Sequence, residues 1–371
     1  MPSIPLPENA SLEHLKKQAK LVQELVSSGD SGALDLIREF HPRFADMMSG
    51  TLPVGFKRSD AQLVVARLYG LASWTRLREH VGMVKDFTLP DAADVDPNDD
   101  VDRFVALACV SYNGDHDPYA RTELARTMLD SNTDLATASI AAIAVSGHHR
   151  AMTERIQQEP EIVNEACDPN GWPPLLYCCY SRLDPSDPSR STVATARVLL
   201  DAGADPNAGF LWHGLVPPFT ALTGAFGRGE GEQARHREAV ELARLLLEAG
   251  ADPNDGQALY NNGLAGTAHD DPTHLQLLVD FGLGSAKDGP WYRRFGSQLT
   301  APTELLDDEL EVAAHRGLPN RMRFLAELGL DLDRPVGRSR RTPWELAIAG
   351  GHTDVIDVLT QAGARGTEKS P

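Results

Sequence analysis

Twelve residues are written twice in this chain. ARVLLDAGADPN occupies 196–207 and ARLLLEAGADPN occupies 243–254, identical at ten positions and offset by 47 residues. Such a copy constrains the fold more than composition does, because like segments need like surroundings, and a stack of similar units provides them. Each copy is an apolar helical run that closes on Ala-Gly-Ala and then turns through Asp-Pro-Asn. Glycine supplies the left-handed conformation that ends a helix, and Asp-Pro-Asn favours a tight turn. Unit ends of this type fall at Gly203, Gly250, Gly282, Gly329 and Gly363, with spacings of 47, 32, 47 and 34 residues. The two long spacings hold insertions of loop composition, RGEGEQARHRE at 228–238 and KDGPWYRRFGSQL at 287–299.

The last unit shows the local physics. In TPWELAIAGGHTDVIDVLTQAGA, Thr342 can cap a helix and Pro343 suits its first turn, where no N–H bond is needed. Leu346, Ala347 and Ala349 allow close packing of this inner helix. Gly350 and Gly351 end it, and His352 begins the return turn. Val355, Ile356, Val358 and Leu359 give the following helix an apolar side. One such pair cannot bury its own apolar faces, and stacking does that.

The 32- and 34-residue spacings lie near the ~33-residue period of ankyrin repeats. GRSRRTPWELAIAGGHTDVIDVLTQAGA (337–364) resembles that family closely, and the two GADPN segments resemble its end-of-repeat turn. DPNGWPPLLYCCYS (168–181) resembles the family's opening D-x-x-G-x-T-P-L-x-x-A, with Pro173 in place of the threonine. The likeness covers about 135–365 well and 103–134 weakly. It implies an all-α chain: an ankyrin-repeat solenoid of helix-turn-helix units with short finger turns, preceded by a small helical module. About five to seven units are expected over 103–366, the first of them degenerate.

Residues 1–85 read as that module. SLEHLKKQAKLVQELV (11–26) starts on a capping Ser11, places Leu12, Leu15, Ala19, Val22 and Val26 on one stripe, and ends at Gly29. SGALDLIREF (31–40) is a second helix limited by Pro42. SDAQLVVARLYG (59–70) carries Ser59 and Gln62 at capping-box spacing, and SWTRLREHVGMV (73–84) opens on Ser73 with Trp74 as a core anchor. Such helices resemble those that precede the repeats in some bacterial ankyrin proteins. Residues 86–102, rich in Asp and Pro, read as an acidic linker, and 367–371 as a disordered tail. DVDPND (94–99) fails as a calcium loop, which needs Gly sixth and Glu twelfth where Asp99 and Val105 stand.

The formal net charge of −18 argues against nucleic-acid binding, which needs clustered Lys and Arg, and against an anionic membrane surface. The N-terminus has no basic stretch followed by an apolar one, and ASIAAIAV (138–145) is too short to span a bilayer. Four cysteines without CxxC spacing predict a cytoplasmic, reducing environment.

Phosphate-loop, HExxH and GxSxG motifs are missing, and GRGEG (227–231) carries an acid where a phosphate cradle would need none. Cys178 and Cys179 stand where the repeat uses small residues, and they read as packing. His148 and His149 fall in the Gly-His turn without further ligand spacing. No cofactor and no metal is expected.

Aromatic and basic residues off the helical periodicity are the candidate contact set. Trp172, Phe210, Trp212, His213, Tyr260, Trp291 and Tyr292 fall largely in turns and insertions; Arg293, Arg294, Arg338, Arg340 and Arg341 add a local basic patch beside Arg334. Aromatics next to arginine anchor interfaces, but the same residues could simply cover the edge of a stack. The function this predicts is a protein-protein interaction scaffold, a monomer without catalytic activity that holds a polypeptide partner in its concave groove. The alternative is a small-molecule-binding protein or enzyme. Its pocket would be built from the insertions at 208–238 and 284–300, with Cys178, His213, Tyr260 and Arg293 as candidate groups.

Overall fold

The structure, a computed structural model, describes residues 4, 6–7, 10–89, 96, 99–112, 118–184, 187–228, 233–263 and 270–365. Residues 90–95, 97 and 98 of the expected linker, 229–232 of the 228–238 insertion and the expected tail lie outside the described residues. The chain divides into two compact units, 1–88 with 211–215, and 89–210 with 216–371.

The first unit holds α1 (Leu12–Ser28), α2 (Ser31–Phe40), α3 (Arg58–Leu68) and α4 (Trp74–Phe87). Ser11 caps α1 by accepting the His14 N–H at 3.1 Å, and Gly29 closes it at φ +80°. Leu15, Ala19 and Val26 are buried along the expected stripe, with Leu12 and Val22 packed at its margin. Leu15 and Ala19 meet Val65 and Leu77, while Val26 packs with Leu34, Ile37 and Val64. Ser73 caps α4 through the Arg76 N–H, and Trp74 packs half-buried on the core. The start of α3 differs from expectation. The helix begins before Ser59, and the Asp60 carboxylate accepts the Lys57 N–H at 2.7 Å. An acid in the first turn thus does the work expected of Ser59 and Gln62, and it also suits the positive end of the helix. Leu211 donates its N–H to the Phe87 carbonyl at 2.8 Å.

The second unit begins with α5 (Asp100–Ala108), capped by Asp99, and α6 (Pro118–Ser131), which pack on each other. Then come α7 (Ile140–Val145), α8 (His149–Gln158), α9 (Pro174–Tyr180) and α10 (Thr192–Asp201). The strands β1 (Gly209–Phe210) and β2 (Phe219–Thr220) follow, with α11 (Ala221–Phe226), α12 (Ala239–Glu248), α13 (Gly256–Gly263) and α14 (Thr273–Asp280). The unit ends with α15 (Pro290–Phe295), α16 (Leu305–Arg316), α17 (Pro319–Glu327), α18 (Pro343–Gly350) and α19 (Thr353–Gln361). Helix α9 packs on α7 and α11, α11 on α13, α13 on α16, and α16 on α18. A second set of contacts links α8 to α10, α10 to α12, and α12 to α14, and α17 packs on α19.

Gly203, Gly250, Gly282, Gly329 and Gly363 all have positive φ, so each supplies the conformation expected of it. Thr342 accepts the Glu345 N–H at 3.2 Å while Glu345 accepts the Thr342 N–H at 3.0 Å, a capping box at the start of α18.

The chain is mostly helical but not wholly so. β1 and β2 form a two-stranded antiparallel ribbon, pairing Gly209 with Thr220 and Phe210 with Phe219. A Cβ at residue 209 would stand 2.8 Å from the Phe219 carbonyl oxygen and 3.0 Å from the Trp291 ring, so only glycine admits this approach. The 287–299 insertion, expected as loop, contains α15: Pro290 opens it, and Trp291 and Phe295, four residues apart, bury one side.

Candidate functional site

The aromatic candidates separate by burial. Trp172, Phe210 and Trp291 are 6%, 5% and 6% exposed. Of the two readings open for them, contact residues or cover for the edge of a stack, their burial favours cover, although Trp291 also borders the cleft described below. Trp172 stacks on Phe210 at 4.9 Å and tilts against Tyr177 and Tyr180; Phe210 stacks on Phe219 at 5.6 Å. Rings from outside the ribbon, Trp172 and Tyr180, pack on it and remove these aromatic surfaces from water. Trp291 donates its indole N–H to the Asn207 carbonyl at 3.0 Å, stacks on Phe295 and carries the Arg294 guanidinium over its face at 4.9 Å.

The other candidates scatter. Trp212 and His213 pair edge to face within the first unit. Arg293 donates to the Asp288 carbonyl. Arg341 donates to the Glu345 carbonyl at 2.8 Å, and Arg340 stands exposed at φ +53° in the same turn. Cys178 and Cys179 are fully buried on α9, and burial pushes both thiols upward.

Four candidates do converge. Tyr260, Trp291, Tyr292 and Arg338 line one cleft of about 600 Å³ in the second unit. Its walls include Val216, Pro217 and Leu222 from one inserted segment and Leu299 and Thr300 from the other. His213 and Cys178 do not line it, and neither does Arg293.

Two acids in this cleft were missed. Asp255 stands just before α13 and caps it, accepting the N–H groups of Gln257 and Ala258 at 3.0 and 2.9 Å. Thr220 and Thr223 also donate their hydroxyls to it. Burial raises its carboxyl to about 6, with these hydrogen bonds pulling the other way. Glu309 lies on α16, 3% exposed, and burial raises it to about 7 against the attraction of Arg321. Arg321 itself sends Nη2 to the Asn262 carbonyl at 3.2 Å. Glu309 Oε2 has no hydrogen-bond partner among the described residues. Asp308, also raised by burial, accepts from the Thr300 hydroxyl at 3.2 Å.

A signal for Glu309 was present. It falls four residues after Leu305 and four before Ala313, on the buried side of α16. Asp255 carried a cap signal, an acid immediately before a helix. Chemically, the cleft offers two carboxyls that burial raises toward neutrality and, on Glu309, an oxygen without a hydrogen-bond partner among the described residues.

Neither a protein-family model nor a curated protein matches the chain. Among the described residues, no group of three or more His, Cys, Asp or Glu could hold a metal ion. Among the same residues, no helix is long and apolar enough to cross a membrane.

Proposed function

We propose that the chain is an ankyrin-type repeat protein that acts by binding a polypeptide partner, with the cleft as its recognition site. The repeat reading is supported by the five turn glycines at positive φ, the successive contacts of α7, α9, α11 and α13, and the capping box at Thr342. The arginines and exposed tyrosine expected at the partner surface are reduced in this reading to those at the cleft, Tyr260, Tyr292 and Arg338.

One observation carries the site: the two segments that interrupt the repeat spacing line the same cavity. Insertions in a repeat array are free to diverge from the stacking pattern, and binding residues gather on such segments. The test is affinity capture from native-cell lysate with wild-type protein and with a Tyr260→Ala, Tyr292→Ala double variant. A polypeptide held by the first and released by the second supports the reading. Identical capture by both baits refutes it.

The pocket alternative keeps a specific support in Asp255 and Glu309, whose carboxyls burial raises to about 6 and about 7. Stabilisation of the protein in a metabolite thermal-shift screen, without any captured polypeptide, would favour a small-molecule role.

A further inference from the structure

Among the described residues, five carboxylates line the cleft, Asp252, Asp255, Asp308, Glu309 and Glu311, against one arginine, Arg338. Four of the five are occupied by the protein itself. Asp252 accepts the Asn254 N–H, Asp255 accepts two N–H groups and two hydroxyls, and Asp308 accepts the Thr300 hydroxyl. Glu311 accepts the N–H groups of Arg338 and Ser339 at 2.7 and 3.1 Å. Glu309 differs. It is almost wholly buried, it borders the cavity, and its Oε2 has no hydrogen-bond partner among the described residues.

A buried acceptor without a donor is destabilising, and more so when it is charged. A ligand that brings the donor recovers that cost on binding. The donor must suit an excess of negative charge, which selects a cation. Two tyrosines, Tyr260 and Tyr292, border the same space, and aromatic faces attract a cationic nitrogen; the Trp291 ring is already taken by Arg294 and Phe295. Among the described residues no group of three or more His, Cys, Asp or Glu could hold a metal ion, and the ligand these groups suit is a nitrogen that donates hydrogen bonds itself.

We propose that the cleft binds an organic cation, a primary ammonium or guanidinium group on an aliphatic stem, with Glu309 accepting its N–H. This rests on the cleft being the recognition site. Two sources present this chemistry: a lysine or arginine side chain of the partner, or a free aliphatic amine. Both place the charge at Glu309 and the stem against the tyrosines.

The experiment is isothermal titration calorimetry of the full chain at pH 8, where Glu309 is largely ionised. The probes are acetyl-Gly-Lys-Gly-amide, acetyl-Gly-Arg-Gly-amide, n-butylammonium and n-butylguanidinium, with acetyl-Gly-norleucine-Gly-amide as the uncharged match. The expected result is that at least one cation binds about tenfold or more tighter than the norleucine peptide. Glu309→Gln should remove that advantage while leaving the circular dichroism spectrum unchanged. Should Glu309→Gln fail to fold, Tyr260→Ala, at an exposed position, should weaken the same cation severalfold.

Peptides that bind tighter than the free cations identify a polypeptide source, and equal binding identifies a free amine. Equal affinity for lysine and norleucine peptides, no binding by any cation, or a Glu309→Gln variant with wild-type affinity would overturn the proposal. The two readings fail separately. Cation binding with unchanged lysate capture by the tyrosine double variant removes the scaffold. Lost capture without cation binding removes only the cation.

Discussion

The Asn207 side chain spans the turn around Gly250. Its Nδ2 donates to the Gly250 carbonyl at 3.0 Å, and its Oδ1 accepts the Asp252 N–H at 2.8 Å. Asn164 does the same one turn earlier, to the Gly203 carbonyl and the Asp205 N–H, and Asn254 accepts the Gly284 N–H one turn later. The asparagine that ends the copied GADPN segment is therefore a strut to the next turn, which gives a physical reason for writing it twice. Asn207→Ala leaves both backbone groups without this partner and should cost about 1–2 kcal/mol in urea denaturation. Asn207→Asp keeps the acceptor and loses the donor, so its cost should be smaller. A variant of unchanged midpoint would show that the strut does not contribute.

Gly224 on α11 should reverse the usual helix rule. Alanine in place of glycine inside a helix ordinarily gains up to about 1 kcal/mol. Here the new Cβ would stand 2.5 Å from two carbons of the Tyr180 ring and 3.0 Å from Cys179 Cβ, all in fully buried surroundings. Overpacking of that kind costs about 1–3 kcal/mol, so Gly224→Ala should lower the thermal midpoint. Gly82 on α4 is the control, since nothing lies within 4 Å of its added Cβ. Gly82→Ala should stabilise its own unit by about 0.5–1 kcal/mol. Equal effects at the two sites would mean that contact with Tyr180 does not decide the sign.

What the sequence makes legible is what local chemistry determines. Ser11, Ser73 and Thr342 cap their helices as their spacing predicts, and the five turn glycines take positive φ. What it hides depends on partners far along the chain. The ribbon at 209–220 has strands of two residues, too short for any alternation, and its aromatic packing comes from Trp172 and Tyr180 as well. Trp291 looks like an exposed finger until its N–H meets Asn207, 84 residues away. Asp255 and Glu309 are hidden by a good general rule, that acids stay at the surface unless paired. Only Glu309 broke a visible pattern, by occupying the apolar side of α16.

Thiol chemistry should be silent in the native protein. Cys109, Cys178 and Cys179 are buried, and Cys167 donates Sγ–H to the Trp172 carbonyl at 3.1 Å. Burial pushes Cys109 and Cys167 up to about 12 and raises the other two as well. The thiolate is the reactive form, so at pH 8 a chromogenic disulfide reagent should label less than about one thiol per folded chain. In urea all four should react. Rapid labelling of Cys178 or Cys179 without denaturant would place them at an accessible surface and contradict their packing role.

Glu309 ties stability and binding together with opposite signs. Burial raises its carboxyl from 4.5 to about 7, so the folded state holds this proton more tightly than the unfolded state does. Its contribution is fully present below about pH 4.5 and is lost as pH rises through about 7. His236 and His274 act the other way. Burial lowers both to about 3 from 6.5, so their contribution is present above 6.5 and is lost as pH falls toward 3. The slopes oppose between those limits, so the difference between wild type and Glu309→Gln isolates the acid. Arg321 and Asp308, the charges facing it, remain in both proteins. That difference should be near zero at pH 4.5 and reach on the order of 3 kcal/mol in favour of the glutamine variant at pH 8. Urea denaturation at half-unit pH steps measures it, and a flat difference would refute it. The same variant should lose the cation, because its amide keeps an acceptor oxygen but carries no negative charge. A protein that keeps a buried acid whose ionisation lowers stability, and that gives up its ligand when the acid is replaced, is one in which the acid is held for binding.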